Sequence, residues 1–186
     1  MLLFRLLRSL TFNALMWLWT GTAALISLPV MLAPRKVLVK ALEIWAAGIM
    51  GLLRHVAGID YEVRGTEHLP SGPVIYALKH QSMWDTIVLH LLIKDPAIVL
   101  KKELSLIPVY GWIAKRVGML AVDRADGASA LKKMVAEAKA RVARGQPIAI
   151  FPEGTRAEPG YVPGYKPGVG ALYTQLGLPV VPVALN

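Results

Sequence analysis

The first 60 residues are the most apolar part of the chain, and their pattern predicts two helices. No charged residue occurs from residue 9 to residue 34, and basic residues flank this stretch on both sides. At about 1.5 Å per residue such a helix can cross a bilayer of about 30 Å. A second apolar stretch, 41–53, is interrupted by Glu43. We expect a membrane anchor over residues 1–60, with either one spanning helix or two helices lying in one leaflet. The alternative is a buried hairpin of a soluble protein.

Beyond residue 60, short apolar runs alternate with stretches of helical periodicity. The runs predict strands at 61–65 (a short edge strand), 74–79, 97–100, 119–122, 148–151 and 180–185. The periodic stretches predict helices at 83–93 and 128–144, and a stretch rich in Gly and Pro predicts a long loop over 152–170. Strands that alternate with helices indicate an α/β domain over residues 61–186, with a mixed, largely buried sheet flanked by helices.

Composition narrows the class of protein. The chain is 55% hydrophobic and carries a net charge of +9, from 21 Lys and Arg against 12 Asp and Glu. No long apolar run follows residue 60, which excludes a multi-span transporter. The absence of Cys excludes disulfides, thiolate metal sites and cysteine nucleophiles. The basic residues are thinly spread and are not interleaved with aromatic ones, so nucleic acid is not an expected partner.

A His followed five residues later by an Asp is the first candidate for chemistry. Five helical residues turn the chain by about 500°, so a hydrogen bond at this spacing requires a turn instead of a helix. One pair directly follows a predicted buried strand and precedes a predicted helix, the place where α/β folds bind ligands. That pair is His80 and Asp85, although Ser82 and Asp85 can also form a capping box for the helix. The spacing occurs three times, at His55 and Asp60, His80 and Asp85, and His90 and Asp95.

A second polar cluster directly follows the predicted strand 148–151. It combines a carboxylate, an open backbone, a hydroxyl and a forked cation, in Glu153, Gly154, Thr155 and Arg156. This set suits a phosphate or a polyol, because Arg binds phosphate with two hydrogen bonds and Gly allows close backbone approach. Lys101 and Arg124 follow two other predicted strands and add positive charge at the same sheet edge. We expect no metal site; a metal-dependent phosphoester hydrolase is an alternative, but carboxylates are sparse near His80.

Five short segments, taken together and in order, resemble a known family. The segment His80-Gln81-Ser82-Met83-Trp84-Asp85 resembles the first sequence block of the glycerolipid acyltransferases, the 1-acyl-glycerol-3-phosphate acyltransferase (PlsC-like) family. The other four blocks are similar to residues 101–112, 122–124, 151–156 and 178–183. The departures are Val122 in place of the usual Ile and Ala157 where Ser often follows the Arg. The family usually continues past the last block, so we expect the chain to be truncated at its carboxyl end.

The resemblance implies a reaction, partners and a location. It implies transfer of a fatty acyl group from acyl-CoA or acyl carrier protein, as co-substrates without a resident cofactor, to the free hydroxyl of lysophosphatidic acid. His80 would be the general base and Asp85 would orient it; Lys101, Arg124 and the 153–156 cluster would bind the substrate. It also implies a cytoplasmic (inner) membrane enzyme whose catalytic domain faces the cytoplasm. Another lysolipid or glycerol-3-phosphate as acceptor, or a non-enzymatic phospholipid-binding module, are the alternatives.

Overall fold

A computed structural model describes residues 2–161 and 164–185. The contacts within the chain divide it between Glu67 and His68 into two compact units. We call them the helical unit and the α/β unit. The predicted boundary at residue 60 lies slightly before this division.

The helical unit is built from two helices, α1 (Leu2–Val30) and α2 (Arg35–Leu52), followed by a π-helical turn. Among the described residues, α1 is the one helix long and apolar enough to cross a membrane by length and composition. The two helices approach closely at Gly48, where a Cβ atom would lie 2.5 Å from the Trp19 ring. The Trp19 indole Nε1 donates to the Trp45 carbonyl at 2.9 Å, which ties the helices together.

The α/β unit contains a five-stranded sheet, in which neighbouring strands follow the order β3-β2-β4-β1-β5. Each described ladder is parallel. The strands are β1 (Ile75–Leu78), β2 (Ala97–Lys101), β3 (Leu120–Val122), β4 (Ile148–Ile150) and β5 (Val180–Val183). The helices are α3 (Trp84–Leu92), α4 (Tyr110–Val117), α5 (Gly127–Val142) and α6 (Gly168–Leu176).

The α/β class is confirmed, and three details of the sequence prediction are corrected. The sheet is parallel and not mixed, because a helix follows each of the first four strands and carries the chain back before the next strand begins. Residues 61–65 form no strand; Glu62 and Arg64 pair with each other there in an exposed, irregular segment. Helices α4 and α6 were both absent from the prediction, and α6 begins inside the end of the stretch predicted as a loop.

The core of the sheet shows why these strands are so apolar. Ile75, Leu120 and Ile148 are fully buried and pack with Met134 of α5 and Leu172 of α6. Strands covered by helices on both faces need apolar residues at successive positions, which is the pattern the sequence carries. The core therefore holds the strand ends rigidly where the polar loops begin.

The carboxyl ends of β1 and β4 lie side by side at one edge of the sheet, and we call the space beyond them the crevice. These neighbouring strands continue in opposite directions across the sheet, β1 toward β2 and β4 toward β5. Right-handed crossovers then place α3 and α6 on opposite faces. In parallel α/β sheets, ligands bind at the carboxyl ends of neighbouring strands whose following helices lie on opposite faces of the sheet.

Candidate active site

His80 lies in this crevice, two residues after the end of β1. Its Nδ1 is 3.0 Å from Oδ1 of Asp85, in the first turn of α3. The chain turns between the two residues, as a hydrogen bond at this spacing requires. The prediction that His80 and Asp85 come together is therefore confirmed by the geometry, while their catalytic role stays a prediction.

Asp85 is held as an anion by the start of α3. Its side chain is only 2% exposed, and its Oδ2 accepts hydrogen bonds from the N–H groups of Gln81 at 2.6 Å and Ser82 at 2.8 Å. Burial acts to raise the pKa of the Asp85 carboxyl, but the hydrogen bonds from His80, Ser82 and Gln81 outweigh burial and hold that pKa below its ordinary value. The bond from the Ser82 N–H to Asp85 is one half of the predicted capping box. The Ser82 hydroxyl oxygen accepts from the Trp84 N–H at 3.1 Å, one residue before the position that the box predicts.

An ionised Asp85 determines which nitrogen of His80 carries the proton. A carboxylate only accepts hydrogen bonds, so Nδ1 must donate, and the neutral ring keeps a free lone pair on Nε2. The His80 side chain is 17% exposed, so one part of the ring remains accessible. The Phe151 ring stacks on one face of the imidazole, with ring centroids 4.1 Å apart. His80 is thus oriented as a general base requires.

Glu153 supports the backbone of His80. Its Oε2 accepts from the His80 N–H at 2.9 Å, and its Oε1 accepts from the Lys79 ammonium group. The His80 carbonyl accepts from the Ala157 N–H at 2.8 Å. The backbone of the base is therefore fixed on both sides by the loop that follows β4.

These contacts favour a positioning role for Glu153 over the predicted contact with the substrate, which stays a prediction. We expected its carboxylate to contact the substrate, but the side chain is 1% exposed and both oxygens are engaged by protein donors. A buried carboxylate needs such partners because an unpaired charge would be strongly unfavourable there. The structure therefore favours Glu153 as a residue that positions His80.

The loop after β4 also brings two cations together beside Gly154. Gly154 has a φ of +69°, and a Cβ atom there would lie 3.3 Å from Cγ of Lys166 and 3.5 Å from Cζ of Arg124. The backbone angle favours glycine, while the two neighbouring side chains leave room for a Cβ atom with only a small shift of Lys166. Arg124 and Gly154, both predicted binding residues, thus lie next to each other, and their role in binding stays a prediction. No ion pair involves the Arg124 or Lys166 side chain within 2–161 and 164–185.

The other predicted binding residues lie at the same edge with fewer contacts. Thr155 and Arg156 are exposed on the loop, and Lys101 is exposed at the end of β2. Lys102, beside Lys101, pairs with Asp123 at 2.7 Å and so connects the ends of β2 and β3. The structure places these side chains around the crevice, and their contact with a substrate remains a prediction.

Three residues of this site were missed from the sequence, namely Lys79, Phe151 and Lys166. Lys79 directly precedes His80, and Phe151 ends the predicted strand, so the local pattern indicates only that both lie at strand ends. Their contacts depend on the pairing of β1 with β4, which no local pattern reveals. Lys166 lies in the long loop, where its proximity to Gly154 has no signal in the sequence.

The remaining His–Asp pairs lie elsewhere. Asp60 pairs with Arg54 at 3.2 Å in the helical unit. His90 lies near the end of α3 and Asp95 just before β2, at the amino edge of the sheet and away from the crevice. No group of three His, Cys, Asp or Glu side chains able to hold a metal occurs among the residues that the structure describes.

Taken together, the crevice contains a base with an oriented free nitrogen, bordered by cations that have no anionic partner in the described part of the chain. Such a base can remove a proton from a hydroxyl group. The cations suit an anionic substrate, with Arg able to bind phosphate through two hydrogen bonds.

The fold and this site agree with the comparisons with known proteins. A model of the Acyltransferase family matches residues 60–186. The chain belongs to this acyltransferase family.

Two similar curated proteins are both named for the same enzymatic activity. The chain is 39% identical over 142 residues to the 1-acyl-sn-glycerol-3-phosphate acyltransferase of Pseudomonas aeruginosa, covering 76% of this chain and 55% of the relative. It is 33% identical over 129 residues to the chloroplastic enzyme BAT2 of the same name from Brassica napus, covering 67% and 36%. The chain thus spans about half the length, or less, of these curated relatives.

A solved structure supports the fold. The crystal structure of the 1-acyl-sn-glycerophosphate acyltransferase PlsC from Thermotoga maritima matches with a TM-score of 0.76 at 23% identity. The match covers 96% of this chain and 74% of that protein. It confirms an α/β fold preceded by helices.

Proposed function

We propose that this chain transfers a fatty acyl group from a thioester to the sn-2 hydroxyl of 1-acyl-glycerol-3-phosphate, which yields phosphatidic acid. The observation that carries the proposal is the 3.0 Å contact between His80 and a buried, ionised Asp85 at the mouth of the crevice. Family membership supports acyl transfer, and the names of the relatives support this acceptor.

In the proposed mechanism, Nε2 of His80 removes the proton of the acceptor hydroxyl as its oxygen attacks the thioester carbonyl. The ester C–O bond forms, the C–S bond breaks, and the thiol leaves with the proton that His80 took up. Asp85 stabilises the imidazolium ion that exists between these steps. The chain has no Cys and no G-x-S-x-G segment, so direct transfer without an acyl-enzyme is favoured.

The acceptor's phosphate is proposed to bind at the cationic side of the crevice. Arg124 and Lys166 approach Gly154 from two directions, and Arg156 and Thr155 are exposed nearby. Lys101, at the end of β2, adds charge at the same edge. Because Gly154 has no side chain of its own, a phosphate could approach its backbone while contacting Arg124 and Lys166.

The donor and the location are part of the same proposal. Acyl-CoA or acyl carrier protein would supply the thioester, and no resident cofactor is needed because the thioester is already activated. Helix α1 exposes large apolar side chains such as Trp17, 62% exposed, and Leu25, 70% exposed. A bilayer is the environment that favours such a surface. This surface supports membrane association, and the proposal adds that the membrane is the cytoplasmic (inner) one and that the α/β unit faces the cytoplasm, where both thioester donors occur.

Replacement of the base tests the proposal. His80→Ala should reduce acyl transfer in membranes about 100- to 10,000-fold, because a positioned general base contributes about that much. Each thioester donor is offered in turn with 1-acyl-glycerol-3-phosphate, glycerol-3-phosphate and a lysolipid without a phosphate monoester. Turnover of one of the other acceptors alone would change the acceptor that we propose.

The matched control is His55→Ala, since His55 has the same spacing to an Asp but is exposed in the helical unit. That variant should retain full activity and membrane association. Near-normal transfer by a folded His80→Ala protein would refute the assignment of the base. Binding of lysolipid without any transfer by the unaltered chain would favour a phospholipid-binding module.

A further inference from the structure

An exposed apolar loop follows β2 in the α/β unit. Within residues 104–112 four large apolar side chains face solvent. They are Leu104, Leu106, Ile107 and Trp112, exposed by 40%, 73%, 46% and 55%. Elsewhere in the described part of this unit, the exposed large hydrophobic side chains are Leu69, Met83 and Leu92, which occur singly, and the tyrosines at 161, 165 and 173, whose hydroxyl groups suit water. Single exposed apolar residues are ordinary, but a local concentration of this kind marks an interaction surface.

The backbone of this apolar loop is held in an unusual conformation. Val109 has φ +65° and ψ −59°, and the Tyr110 N–H donates to the Pro108 carbonyl at 2.7 Å, which closes a γ-turn. A Cβ atom at Gly111 would lie 1.9 Å from the Ser105 carbonyl oxygen. A β-branched residue in this region is strained, and such strain persists where the surrounding structure enforces it. The apolar side chains are therefore presented by a fixed turn.

The apolar loop lies at the edge of the sheet that carries the site. It begins directly after β2, whose carboxyl end lies at the same edge as that of β1. The ion pair between Lys102 and Asp123 holds the residues just before the apolar loop against the end of β3. Asp123 directly precedes Arg124. Whatever covers the apolar loop is therefore close to the proposed phosphate site.

Charge on α4 indicates what the apolar loop contacts. Trp112 and Lys115 are three residues apart and both exposed, so they share one helix face, while Ile113 and Ala114 are buried in the unit. A Trp ring beside a Lys suits the boundary between acyl chains and anionic headgroups, because the ring is amphipathic and the ammonium group attracts phosphate. A lipid surface therefore fits this face better than a protein partner, because Lys is depleted in protein–protein interfaces.

We propose that the apolar loop, residues 104–112, inserts into the headgroup region of a bilayer and brings the carboxyl edge of the sheet against the lipid surface. This inference rests on the proposed function only in that the acceptor is a membrane lipid. It assigns a membrane contact to the α/β unit itself, separate from the helical unit. Leu106 and Ile107, at the tip of the turn, enter deepest, by about 5–10 Å.

Fluorescence tests the insertion without depending on turnover. The chain has no Cys, so Leu106→Cys can carry a single nitrobenzoxadiazole label in the full chain. With vesicles of phosphatidylethanolamine and phosphatidylglycerol, its emission should shift to the blue and be quenched by spin-labelled lipid. The matched control is Lys139→Cys, an exposed position in the last turns of α5, whose emission should not change.

Two outcomes would overturn the proposal. In one, the label at residue 106 stays as water-exposed as the label at residue 139. In the other, the blue shift appears without vesicles and grows with protein concentration, which would assign the surface to a second copy of the chain. A shift with vesicles in a chain that transfers no acyl group would support insertion while refuting the proposed function.

Kinetics supply a second, independent measurement. Leu106→Asp should raise the KM for 1-acyl-glycerol-3-phosphate presented in vesicles about 10-fold, since burial of one Leu side chain is lost. The kcat/KM for a short-chain acceptor dissolved in water should be unchanged, because that acceptor does not require insertion. An equal loss with both acceptors would overturn the proposal.

Discussion

The two sides of the crevice are built in opposite ways. On the side of β1 and the end of β4, His80, Asp85 and Glu153 are largely buried, and their polar atoms are hydrogen-bonded within the chain. On the other side, Arg124 and Arg156 are exposed, and neither forms an ion pair within the residues that the structure describes. The polar groups of the buried side are satisfied without a ligand, whereas the cationic side carries positive charge that an anionic ligand would neutralise.

This difference follows from what each side has to do. A general base works only if its lone pair points at the proton, so its orientation has to be set before the substrate arrives. A phosphate has several charged oxygens, which flexible cationic side chains can bind together. Those side chains have to remain accessible before the substrate arrives. We therefore expect substitutions on the buried side to lower kcat and substitutions on the cationic side to raise KM.

The largest effect is expected for Asp85→Asn. An Asn amide would accept from the Gln81 and Ser82 N–H groups with its oxygen and would donate to Nδ1 of His80 with its nitrogen. The proton of the ring would then move to Nε2, and the lone pair would no longer face the acceptor. We expect kcat to fall about 100- to 10,000-fold with little change in KM, as measured by steady-state transfer. A rise in KM with kcat unchanged would contradict the assignment of the buried side of the crevice to turnover.

The Asp85→Asn substitution should also change how the stability of the folded chain depends on pH. The pKa of Asp85 is lower in the folded chain than the ordinary value near 4. Its contribution to stability is therefore complete above the ordinary value and is lost as the pH falls through the lowered folded pKa. The difference in melting temperature between the wild-type chain and Asp85→Asn should be greatest near neutral pH and shrink below about pH 4. A constant difference would show that the carboxylate is not linked to folding.

An intermediate effect is expected for Glu153→Gln, and it distinguishes the two roles considered for this residue. Gln keeps one acceptor but removes the charge that faces Lys79, so the backbone of His80 should shift. Misplacement of a base by about 1 Å can reduce turnover about 100-fold. We expect kcat to fall about 10- to 100-fold while KM is preserved. A rise in KM alone would restore the substrate contact predicted from the sequence.

The chain offers a close control for that experiment. Glu158 lies on the same loop, and its side chain is exposed. Glu158→Gln removes the same charge without touching His80, so it should leave both kcat and KM unchanged. Equal losses in the two variants would mean that loop charge matters more than the position of the base.

The contrast between the sides also explains what the sequence could predict. His80 and Asp85 are five residues apart, so one local turn brings them together and the spacing itself indicates it. Glu153 is 73 residues from His80, and their contact exists because β4 lies next to β1. Strand order leaves no trace in the local apolar pattern, since all buried parallel strands look alike. The burial of Glu153 and the approach of Lys166 to Gly154 were therefore beyond prediction.

The smallest effect is expected for Arg124→Gln. Several cations share the cationic side, so the loss of one should weaken acceptor binding about 10-fold, within the range for one charge-assisted hydrogen bond. The expected result is a rise in KM for 1-acyl-glycerol-3-phosphate with kcat nearly unchanged. Arg144→Gln, an exposed position just past the end of α5 at the amino edge of the sheet, is the matched control.

Two further measurements make the Arg124→Gln result specific. With an acceptor that lacks the phosphate monoester, the wild-type chain and Arg124→Gln should have the same KM, because the lost contact has no counterpart in that substrate. Added salt should narrow the gap seen with 1-acyl-glycerol-3-phosphate, since exposed charges are screened over about 10 Å at 0.1 M. A fall in kcat that is independent of both the phosphate and the salt would mean that Arg124 acts on His80. The two sides of the crevice would then be one structural unit.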